Sequence, residues 1–379
     1  MSKIKYGMVG GDLGAFIGGV HRRAISFDPR VELVAGCFNP DEKRNIATAK
    51  AYHLDDTRVY KDYRSMAKAE SERQDGIDFA VIVTPNHLHY EMCKEFLLAG
   101  THVVCEKPLC FTVEQAKELK QIAKDKGLLL GVTYTYTGYA MAKVMKEMIE
   151  QGDIGDIVSI NAEYAQDWLI DELEEEGGKD TSLSVWRMDP QKSGRSNCVG
   201  DIGTHIEGMV SYLTGLKIKK LLATIDKFGK PLELNANMIV EYDNGARGAY
   251  WCTQVASGCL NGLSVRIYGS KGSLEWQQHY PDYVRYTPKG EATRVLSRGC
   301  GYITGDSAKV SRLPSGHPEG LTTAFANIYR NIVTAIEQQK QGVDITETDF
   351  PNVDYGIEGV KFVHAVIDSA EKGSAWIEL

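Results

Sequence analysis

The sequence has little of what marks a nucleic-acid or membrane protein. Lys and Arg number 43 against 51 Asp and Glu, and the formal net charge is −8. This balance argues against the broad basic surface that binds nucleic acid or anionic membranes. No uninterrupted apolar run approaches the length of a membrane span, and the start lacks the apolar core and cleavage site of a secretory signal. We therefore expect a small-molecule partner and neither a nucleic acid nor a membrane.

The sequence also lacks cysteine pairs with the spacing of a disulfide framework or a zinc site. The eight cysteines contain no CxxC motif and are scattered at Cys37, Cys93, Cys105, Cys110, Cys198, Cys252, Cys259 and Cys300. We predict reduced thiols, no metal site and a cytoplasmic location.

A length of 379 residues predicts two domains of ordinary size. Up to about residue 150, short apolar runs alternate with helical patterns, as in a parallel sheet wrapped by helices. The predicted strands are Ile4–Val9, Val31–Gly36, Asp78–Val83, His102–Cys105 and Leu128–Thr133. The predicted helices are Asp41–His53, His89–Ala99 and Thr112–Lys126, the last with Thr112 as N-cap. This pattern predicts an α/β Rossmann dinucleotide-binding domain over residues 1–150.

After residue 150 the pattern changes to long strands with one buried face. Apolar and polar residues alternate through Asp156–Gln166, and hairpin signals follow at Asp243-Asn244-Gly245 and at Gly269-Ser270-Lys271-Gly272. We predict a second, α+β domain over residues 151–379 with a large open-faced, mainly antiparallel sheet. Two late helices, Leu321–Gln339 and Val353–Lys372, are predicted to pack back on the first domain.

An acidic stretch interrupts the second domain. It runs from Asp171 to Glu176 and is followed by Gly177-Gly178. Its charge predicts a solvated loop, and the alternative is a lid over the cleft.

The turn after the first strand fits a dinucleotide fingerprint imperfectly. In the G-x-G-x-x-G/A pattern Gly10 and Ala15 take the outer positions, but Asp12 stands where the second glycine lets the backbone approach phosphate. The alternative is a glycine-rich turn without a nucleotide. We predict cofactor contacts along the whole turn, from Gly10, Gly11, Asp12, Leu13, Gly14 and Ala15.

The second strand lacks the acidic residue that usually ends it and holds the adenosine ribose. The chain runs Gly36-Cys37-Phe38-Asn39-Pro40 there. We predict that Asn39 bonds either ribose form and that Lys43 or Arg44 neutralises a 2′-phosphate, which leaves NAD and NADP both open. The alternative for the two cations is an ordinary helix surface.

Two polar segments follow later strands, at the edge where doubly wound sheets bind ligands. They are Thr84-Pro85-Asn86-His87-Leu88-His89 and Glu106-Lys107-Pro108. Lys107 suits proton transfer or hydrogen bonding beside a nicotinamide, and the alternative is a surface ion pair in a turn. The predicted cofactor contacts from these segments are Thr84, Pro85, Asn86, His89, Glu106 and Lys107.

A carboxylate and an imidazole stand four residues apart in the second domain. The segment reads Gly200-Asp201-Ile202-Gly203-Thr204-His205, which puts Asp201 and His205 on one face if it is helical. Such a pair suits proton transfer from a hydroxyl, because histidine titrates near neutrality. The alternative is a helix-capping aspartate followed by a structural histidine.

These motifs together resemble the Gfo/Idh/MocA family, named for glucose-fructose oxidoreductase, inositol dehydrogenase and a rhizopine-catabolism protein. The resemblance rests on the glycine turn, TPNHLHYEM, EKP and the D-x-x-x-H in GDIGTH, in this order, and covers nearly the whole chain. Further strings, GAFIG, YAQDWL and GHPEG, resemble one branch of that family. The resemblance implies an NAD(P)-binding domain, an open-faced sheet domain and oxidation of a sugar or cyclitol hydroxyl. It implies that Lys107 is the catalytic-site lysine, His205 the general base and Asp201 an assisting or substrate-binding acid. Asp12 and Phe38 depart from the pattern.

The predicted substrate site is polar with flat aromatic faces. Candidate hydrogen-bonding groups are Gln166, Arg187, Asp189, Lys192 and His317, and candidate aromatic contacts are Tyr136, Tyr164, Trp168 and Trp186. The alternatives are that Tyr164 and Trp168 are core residues, that Arg187 pairs with Asp189, and that His317 caps the following helix.

We predict an NAD(P)-dependent oxidoreductase acting on a secondary hydroxyl of a sugar, glycoside or inositol. One alternative is a glycoside hydrolase that uses a bound nicotinamide transiently, and another is a sugar and cofactor sensor without turnover. An open sheet face requires a partner, so we expect a homodimer or homotetramer.

Overall fold

The computed structural model describes residues 3–173, 186–343, 345 and 349–379. The chain divides into two compact units. The first consists of Met1–Thr135 and Leu321–Ile357, and the second of Tyr136–Gly320 and Glu358–Leu379. The first unit is therefore completed by a segment from near the end of the chain.

The elements follow one another in two series. The strands are β1 Ile4–Gly10, β2 Val31–Cys37, β3 Phe79–Val83, β4 His102–Cys105, β5 Leu130–Val132, β6 Ile157–Ala165, β7 Ile218–Asp226, β8 Asn235–Tyr242, β9 Arg247–Thr253, β10 Gly262–Gly269, β11 Gly272–Gln277, β12 Tyr283–Pro288, β13 Arg294–Ser297 and β14 Ile377–Glu378. The α-helices are α1 Phe16–Ile25, α2 Glu42–Ala51, α3 Tyr63–Ser71, α4 His89–Leu98, α5 Val113–Lys126, α6 Ala140–Glu150, α7 Pro190–Ser193, α8 Thr204–Thr214, α9 Leu321–Lys340 and α10 Val353–Glu371.

The first unit is built on a five-stranded parallel sheet in the order β2-β1-β3-β4-β5. All five predicted strands are present, with ends that differ by at most two residues. The capping box predicted at the start of α5 also forms, with Thr112 accepting from the Gln115 backbone and Gln115 from the Thr112 backbone. The order and direction of the strands confirm the predicted doubly wound, Rossmann-like sheet.

The core of this unit includes residues from both of its chain segments. Phe325, Ile328 and Ile332 of α9 are buried in one cluster with Val20 and Ala24 of α1. A helix that begins more than 300 residues along the chain thus covers the first strands of the sheet.

The second unit is built on a nine-stranded sheet in the order β13-β12-β11-β10-β6-β9-β8-β7-β14. Only β6 and β9 pair in parallel. Both predicted hairpins form, and Gly245 supplies the left-handed conformation (φ +85°) of the first turn. In β8 Met238 and Val240 are buried, whereas Asn237 and Ile239, which alternate with them, are exposed. The predicted fold class, with one open sheet face, is therefore confirmed.

The division into units differs in two places from the sequence-based expectations, which put the domain boundary at residue 150 and both late helices against the first domain. Helix α6 groups with the second unit, since its apolar residues pack against α8 and strands β11 and β12. Most of α10 also groups with the second unit, where Phe362 packs against Tyr250 and the Ser369 hydroxyl accepts a hydrogen bond from the Ala223 backbone. Only its first residues belong to the first unit.

Several sequence-based expectations concern the chemistry of the chain as a whole. All eight cysteines lie in the described ranges and are free thiols. No helix in those ranges is long and apolar enough to cross a membrane. Residues 174–176, half of the acidic stretch that was predicted as a loop, lie outside the described residues, and Ile170–Leu173 forms a single 3-10 turn.

Candidate active site

The glycine turn of the first unit requires glycine for two separate reasons. Gly10 and Gly11 adopt left-handed conformations (φ +80° and +73°), and a Cβ on Gly10 would lie 2.9 Å from the Val83 carbonyl oxygen. A Cβ on Gly18 would lie 2.2 Å from the Gly11 Cα. The third glycine of the fingerprint allows the helix to pack closely against the turn. In this chain Gly18 has that role, and not Ala15 as predicted.

The start of α1 leaves backbone N–H groups for a ligand. Ala15 occupies the N-cap and provides no side-chain acceptor. The backbone N–H groups of Leu13 and Gly14 already have partners, because they donate to Thr48 Oγ1 (3.3 Å) and Asp12 Oδ1 (3.2 Å). The N–H groups of the first helical turn have no intrahelical partner, and a helix N-terminus of this kind binds phosphate.

Asp12 links the glycine turn to the end of β2. Its side chain is 8% exposed and forms an ion pair with Arg44 on α2. Asn39 Nδ2 donates to Asp12 Oδ2 over 2.6 Å. The structure thus brings Asn39 and Arg44, which we considered for the ribose end of the cofactor, together with Asp12 of the glycine turn, while Lys43 is exposed on α2.

The turn after β4 is held by a buried polar network. Glu106 Oε1 contacts His21 Nε2 (2.7 Å) and accepts from Thr133 Oγ1 (2.6 Å), and His21 Nδ1 contacts the Tyr329 hydroxyl (2.5 Å). Burial favours the neutral acid, but the hydrogen bond and charge of His21, with the charge of Lys107, outweigh it and lower the pKa of Glu106 to about 2. Glu106 is therefore an anchored carboxylate, and its Oε2 accepts from the Lys107 backbone N–H (3.2 Å).

His89 joins the two predicted polar segments. Its Nε2 lies 2.8 Å from the Thr84 carbonyl and its Nδ1 lies 2.8 Å from the Pro108 carbonyl, across a turn with a cis Lys107–Pro108 peptide bond. Burial lowers the pKa of His89, and the two carbonyls act in the opposite direction. Pro85 and Asn86 lie half-buried in the same turn. The predicted segments are thus neighbours at the carboxyl edge of the sheet, with Lys107 half-buried between them.

In the second unit, aromatic side chains surround His205. The Tyr136 ring meets the His205 ring edge-on at 4.8 Å between centroids, and the Tyr164 ring lies at 6.1 Å. The two tyrosine hydroxyls are 2.5 Å apart. Burial raises the pKa of both tyrosines, and the charge of Asp201 acts in the same direction, so both hydroxyls stay protonated.

Polar groups continue from this cluster. The Tyr164 hydroxyl (3.1 Å) and Gln166 Nε2 (2.7 Å) both donate to Asn261 Oδ1. Trp168 Nε1 donates to Gln166 Oε1 over 3.0 Å. The predicted Tyr136, Tyr164, Gln166 and Trp168 therefore form one connected set, and Asn261 is a member that the sequence did not reveal.

Arg187 connects the indoles to Asp201. Its guanidinium lies 4.6 Å from the Trp186 ring and 5.6 Å from the Trp168 ring. Its Nε lies 3.5 Å from Asp201 Oδ2, so Arg187 pairs with Asp201. Asp189 instead caps α7 through the Gln191 backbone N–H, with Lys192 at 3.3 Å.

Asp201 lies in a turn of π-helix, Val199–Gly203, directly before α8. Wide helical turns of this kind occur frequently at functional sites. Gln254 Nε2 donates to Asp201 Oδ2 (2.9 Å), and Asn197 Nδ2 donates to Gln254 Oε1 (2.8 Å). The buried Glu233 accepts from the Asn197 backbone N–H (3.0 Å). Sequence reasoning missed Gln254, Asn197 and Glu233, because no local motif marks them.

The backbone of His317 is held by a buried arginine of the second unit. The His317 ring is exposed, and its backbone carbonyl accepts from Arg298. Arg298 is buried and also pairs with Asp282 (2.7 Å) and Glu319 (2.8 Å). These contacts fix the Gly316–Gly320 turn through its backbone, and the binding role predicted for the His317 ring stays a prediction.

The first unit fits a nicotinamide dinucleotide. The space beside Gly10 and Gly18, which a Cβ would fill, and the uncapped start of α1 match the pyrophosphate of such a cofactor. The carboxylate beside Asn39 matches its ribose. Within the described ranges no group of three or more His, Cys, Asp or Glu side chains is arranged to hold a metal ion.

Two family models match the chain. Residues 4–134 match the oxidoreductase family with an NAD-binding Rossmann fold, GFO_IDH_MocA, and residues 142–275 match the GFO/IDH/MocA C-terminal domain. The two matches follow the two predicted domains in order.

Relatives and solved structures agree with this assignment. The chain is 37% identical over 382 residues to the oxidoreductase YfiI of Bacillus subtilis, covering 99% of this chain and 96% of that one. It is 29% identical to a levoglucosan dehydrogenase of Pseudarthrobacter phenanthrenivorans, covering 72% and 73%. An inositol dehydrogenase homologue from Azotobacter vinelandii, complexed with NAD+, has a TM-score of 0.94 at 34% identity and covers 100% and 98%. The resemblance seen in the sequence is therefore confirmed, and the chain belongs to the GFO/IDH/MocA family of NAD-binding oxidoreductases.

Proposed function

We propose that the protein transfers a hydride between nicotinamide and a secondary hydroxyl carbon of a sugar, glycoside or cyclitol. The observation that carries this proposal is the cluster around His205, where an imidazole adjoins two tyrosine rings whose hydroxyls contact each other. A hydroxylated ring is recognised by such a combination of flat aromatic faces and hydrogen-bonding tips. Names of relatives, a levoglucosan dehydrogenase and an inositol dehydrogenase homologue, support the same substrate class.

His205 is the proposed general base. In the oxidative direction its imidazole takes the proton of the reacting hydroxyl, and in the reverse direction it returns that proton. Asp201 assists as an anion, because its carboxylate is held by Arg187 and Gln254. A fixed carboxylate stabilises an imidazolium as it forms.

Lys107 is the proposed stabiliser of negative charge on the reacting oxygen. Lys107 follows Glu106, whose carboxylate is held by His21, Thr133 and the Lys107 backbone N–H, so the local charge pattern is preorganised. When bound, the nicotinamide accepts or donates the hydride. The remaining proposed cofactor contacts are those of the glycine turn and of the Thr84 to His89 turn.

The proposed substrate contacts are the side chains that line the cluster in the second unit. They are Tyr136, Tyr164, Gln166, Trp168, Trp186 and Arg187. Since several of these polar groups already bond one another, substrate hydroxyls would exchange bonds with them rather than meet unpaired groups.

The test is the initial rate of nicotinamide reduction with a panel of inositols, anhydrosugars and aldoses. His205→Asn and Lys107→Ala should each lower kcat with the best substrate by at least about a hundredfold, because each removes a group that acts in the transition state. Binding of NAD+ should be retained.

Two matched variants control for nonspecific effects. His364→Asn alters a histidine of α10 that lies beside Arg195, and Lys50→Ala removes an exposed lysine of α2. Both should keep the wild-type rate. A rate near that of the wild type in His205→Asn or Lys107→Ala would overturn the assigned roles.

A further inference from the structure

The end of β2 carries no acidic side chain, yet a carboxylate lies beside it. Phe38, the first residue after β2, is buried, and its ring packs edge-on against Tyr52 at 5.5 Å between centroids. The Phe38 backbone N–H is also used, because it donates to Asn45 Oδ1 over 2.8 Å. Phe38 is thus a core residue and has no part in recognising a ribose.

The carboxylate comes from the glycine turn. Asp12 follows Gly11 in the chain, and its Oδ2 lies 2.6 Å from Asn39 Nδ2, just past the end of β2. In doubly wound folds, a carboxylate at the end of the second strand accepts hydrogen bonds from the adenosine ribose hydroxyls. Asp12 therefore provides from the first turn the group that the second strand lacks.

The Asp12 carboxylate also pairs with Arg44, the cation that could otherwise bind a 2′-phosphate. Arg44 forms an ion pair with Asp12 while its own side chain is 61% exposed. A Cβ at Gly14 would lie 3.4 Å from Arg44 Nη2, so the guanidinium extends over the glycine turn. Guanidinium groups bind phosphate through paired hydrogen bonds. The ion pair with Asp12 neutralises the Arg44 guanidinium.

We propose that Asp12 is the residue that selects NAD over NADP. It accepts hydrogen bonds from the ribose hydroxyls together with Asn39, repels a 2′-phosphate, and keeps Arg44 from binding one. This inference rests on the proposed binding of a nicotinamide dinucleotide by the first unit. It also explains how a chain without an acidic residue at the end of β2 keeps the charge that excludes NADP.

The experiment measures the Kd values of NAD+ and NADP+ by calorimetry, without substrate. The wild type should bind NAD+ more tightly. In Asp12→Asn the ratio of the NADP+ Kd to the NAD+ Kd should fall by at least about tenfold, because a like-charge contact is lost and Arg44 is released. Asparagine keeps a side-chain oxygen for the Gly14 backbone N–H, so the turn is preserved.

A double variant and a control make the test specific. In Asp12→Asn combined with Arg44→Ala, the part of the gain in NADP+ affinity that comes from the released Arg44 should be lost. Asp41→Asn removes a nearby charge at the start of α2 but keeps its cap, and should leave the ratio unchanged. An unchanged ratio in Asp12→Asn, with both dinucleotides still bound, would overturn this inference alone. A wild-type chain that binds neither dinucleotide would contradict the proposed cofactor function as well.

Discussion

Single residues in this protein depend on partners that are distant in sequence. Asp201 is 53 positions from Gln254, which donates to it, and Asp12 is 27 positions from Asn39. The motif around each aspartate was visible in the sequence, but the partner was not. The pKa of a carboxylate depends on the charges and hydrogen bonds around it. The sequence therefore identified these two residues as candidates, but their surroundings are known only from the fold.

Gln254 is expected to act as a positioning residue for Asp201. Gln254→Glu would place a second carboxylate beside Asp201, and one of the two would then hold a proton or be repelled. We expect kcat to fall by about tenfold or more at neutral pH and to recover partly as the pH is lowered, with NAD+ affinity unchanged. Gln254→Leu should also lose activity, but without the recovery. A loss in Gln254→Glu that does not change with pH would mean that Gln254 has a structural role only.

Glu207 on α8 should make stability depend on pH. Burial and the charge of Glu358 raise the pKa of Glu207 to about 8, against the opposing effect of Lys217. The folded chain holds this proton more tightly than the unfolded chain. The resulting contribution to the free energy of unfolding is therefore complete below about pH 4.5 and is lost as the pH rises through about 8. Glu207→Gln should remove that loss.

The measurement for Glu207 is the melting temperature between about pH 5 and about pH 9. The melting temperature of Glu207→Gln should rise relative to that of the wild type as the pH rises. Glu150→Gln, a change at a carboxylate that is 60% exposed, is the control and should leave the curve of the wild type unchanged. Parallel curves for Glu207→Gln and the wild type would show that Glu207 titrates normally.

At the scale of elements, periodicity predicted more than motifs did. Alternation along β6, hairpin signals and the Thr112 capping box each indicated the correct element, because each is a local rule. Helix α3 was missed, since only Met66, Ala67 and Glu70 of its nine residues are buried and its apolar stripe is weak. The π-helical turn at Asp201 could not be predicted, because no sequence rule for it is available to a single chain.

Helix α1 provides a matched pair of glycines. Glycine to alanine within a helix normally stabilises it by up to about 1 kcal/mol. At Gly19 the nearest atom to an added Cβ is 3.8 Å away, so Gly19→Ala should be neutral or stabilising. At Gly18 the added Cβ would lie 2.2 Å from the Gly11 Cα, and Gly18→Ala should cost about 1 to 3 kcal/mol and weaken NAD+ binding.

Urea unfolding of the two variants measures this difference directly. The free energy of unfolding should fall in Gly18→Ala and not in Gly19→Ala. Equal stabilities would contradict the close packing of α1 against the glycine turn.

At the scale of the whole molecule, the sequence predicted the number and type of domains but not their exact composition. The first unit takes α9 from beyond the second unit in sequence, and α6 belongs to the second unit despite following β5. Hydrophobic periodicity marks a helix's buried face without naming its partner. Assignment of a helix to a unit is therefore decided by packing that is nonlocal.

The open face of the nine-stranded sheet is the predicted assembly surface. Ile239 is 41% exposed and Tyr268 is 40% exposed on this sheet. Apolar side chains exposed on a broad sheet are covered in most soluble proteins. Native mass spectrometry should therefore show a homodimer or homotetramer, and Ile239→Asp should shift it toward the monomer. Leu98→Asp, at a leucine of α4 that is 49% exposed, should not. A monomeric wild type would contradict the prediction.

The central claim is net hydride transfer from a secondary hydroxyl carbon, and isotopic labelling tests it most directly. The protein is incubated with NAD+ and a panel of inositols, anhydrosugars and aldoses deuterated at their hydroxyl-bearing carbons, and the nicotinamide is analysed by mass spectrometry. The account predicts that at least one compound yields NADH carrying one deuterium, and that His205→Asn abolishes this transfer. Cleavage of a glycoside without labelled NADH, or bound NAD+ that gains no label from any compound, would contradict it.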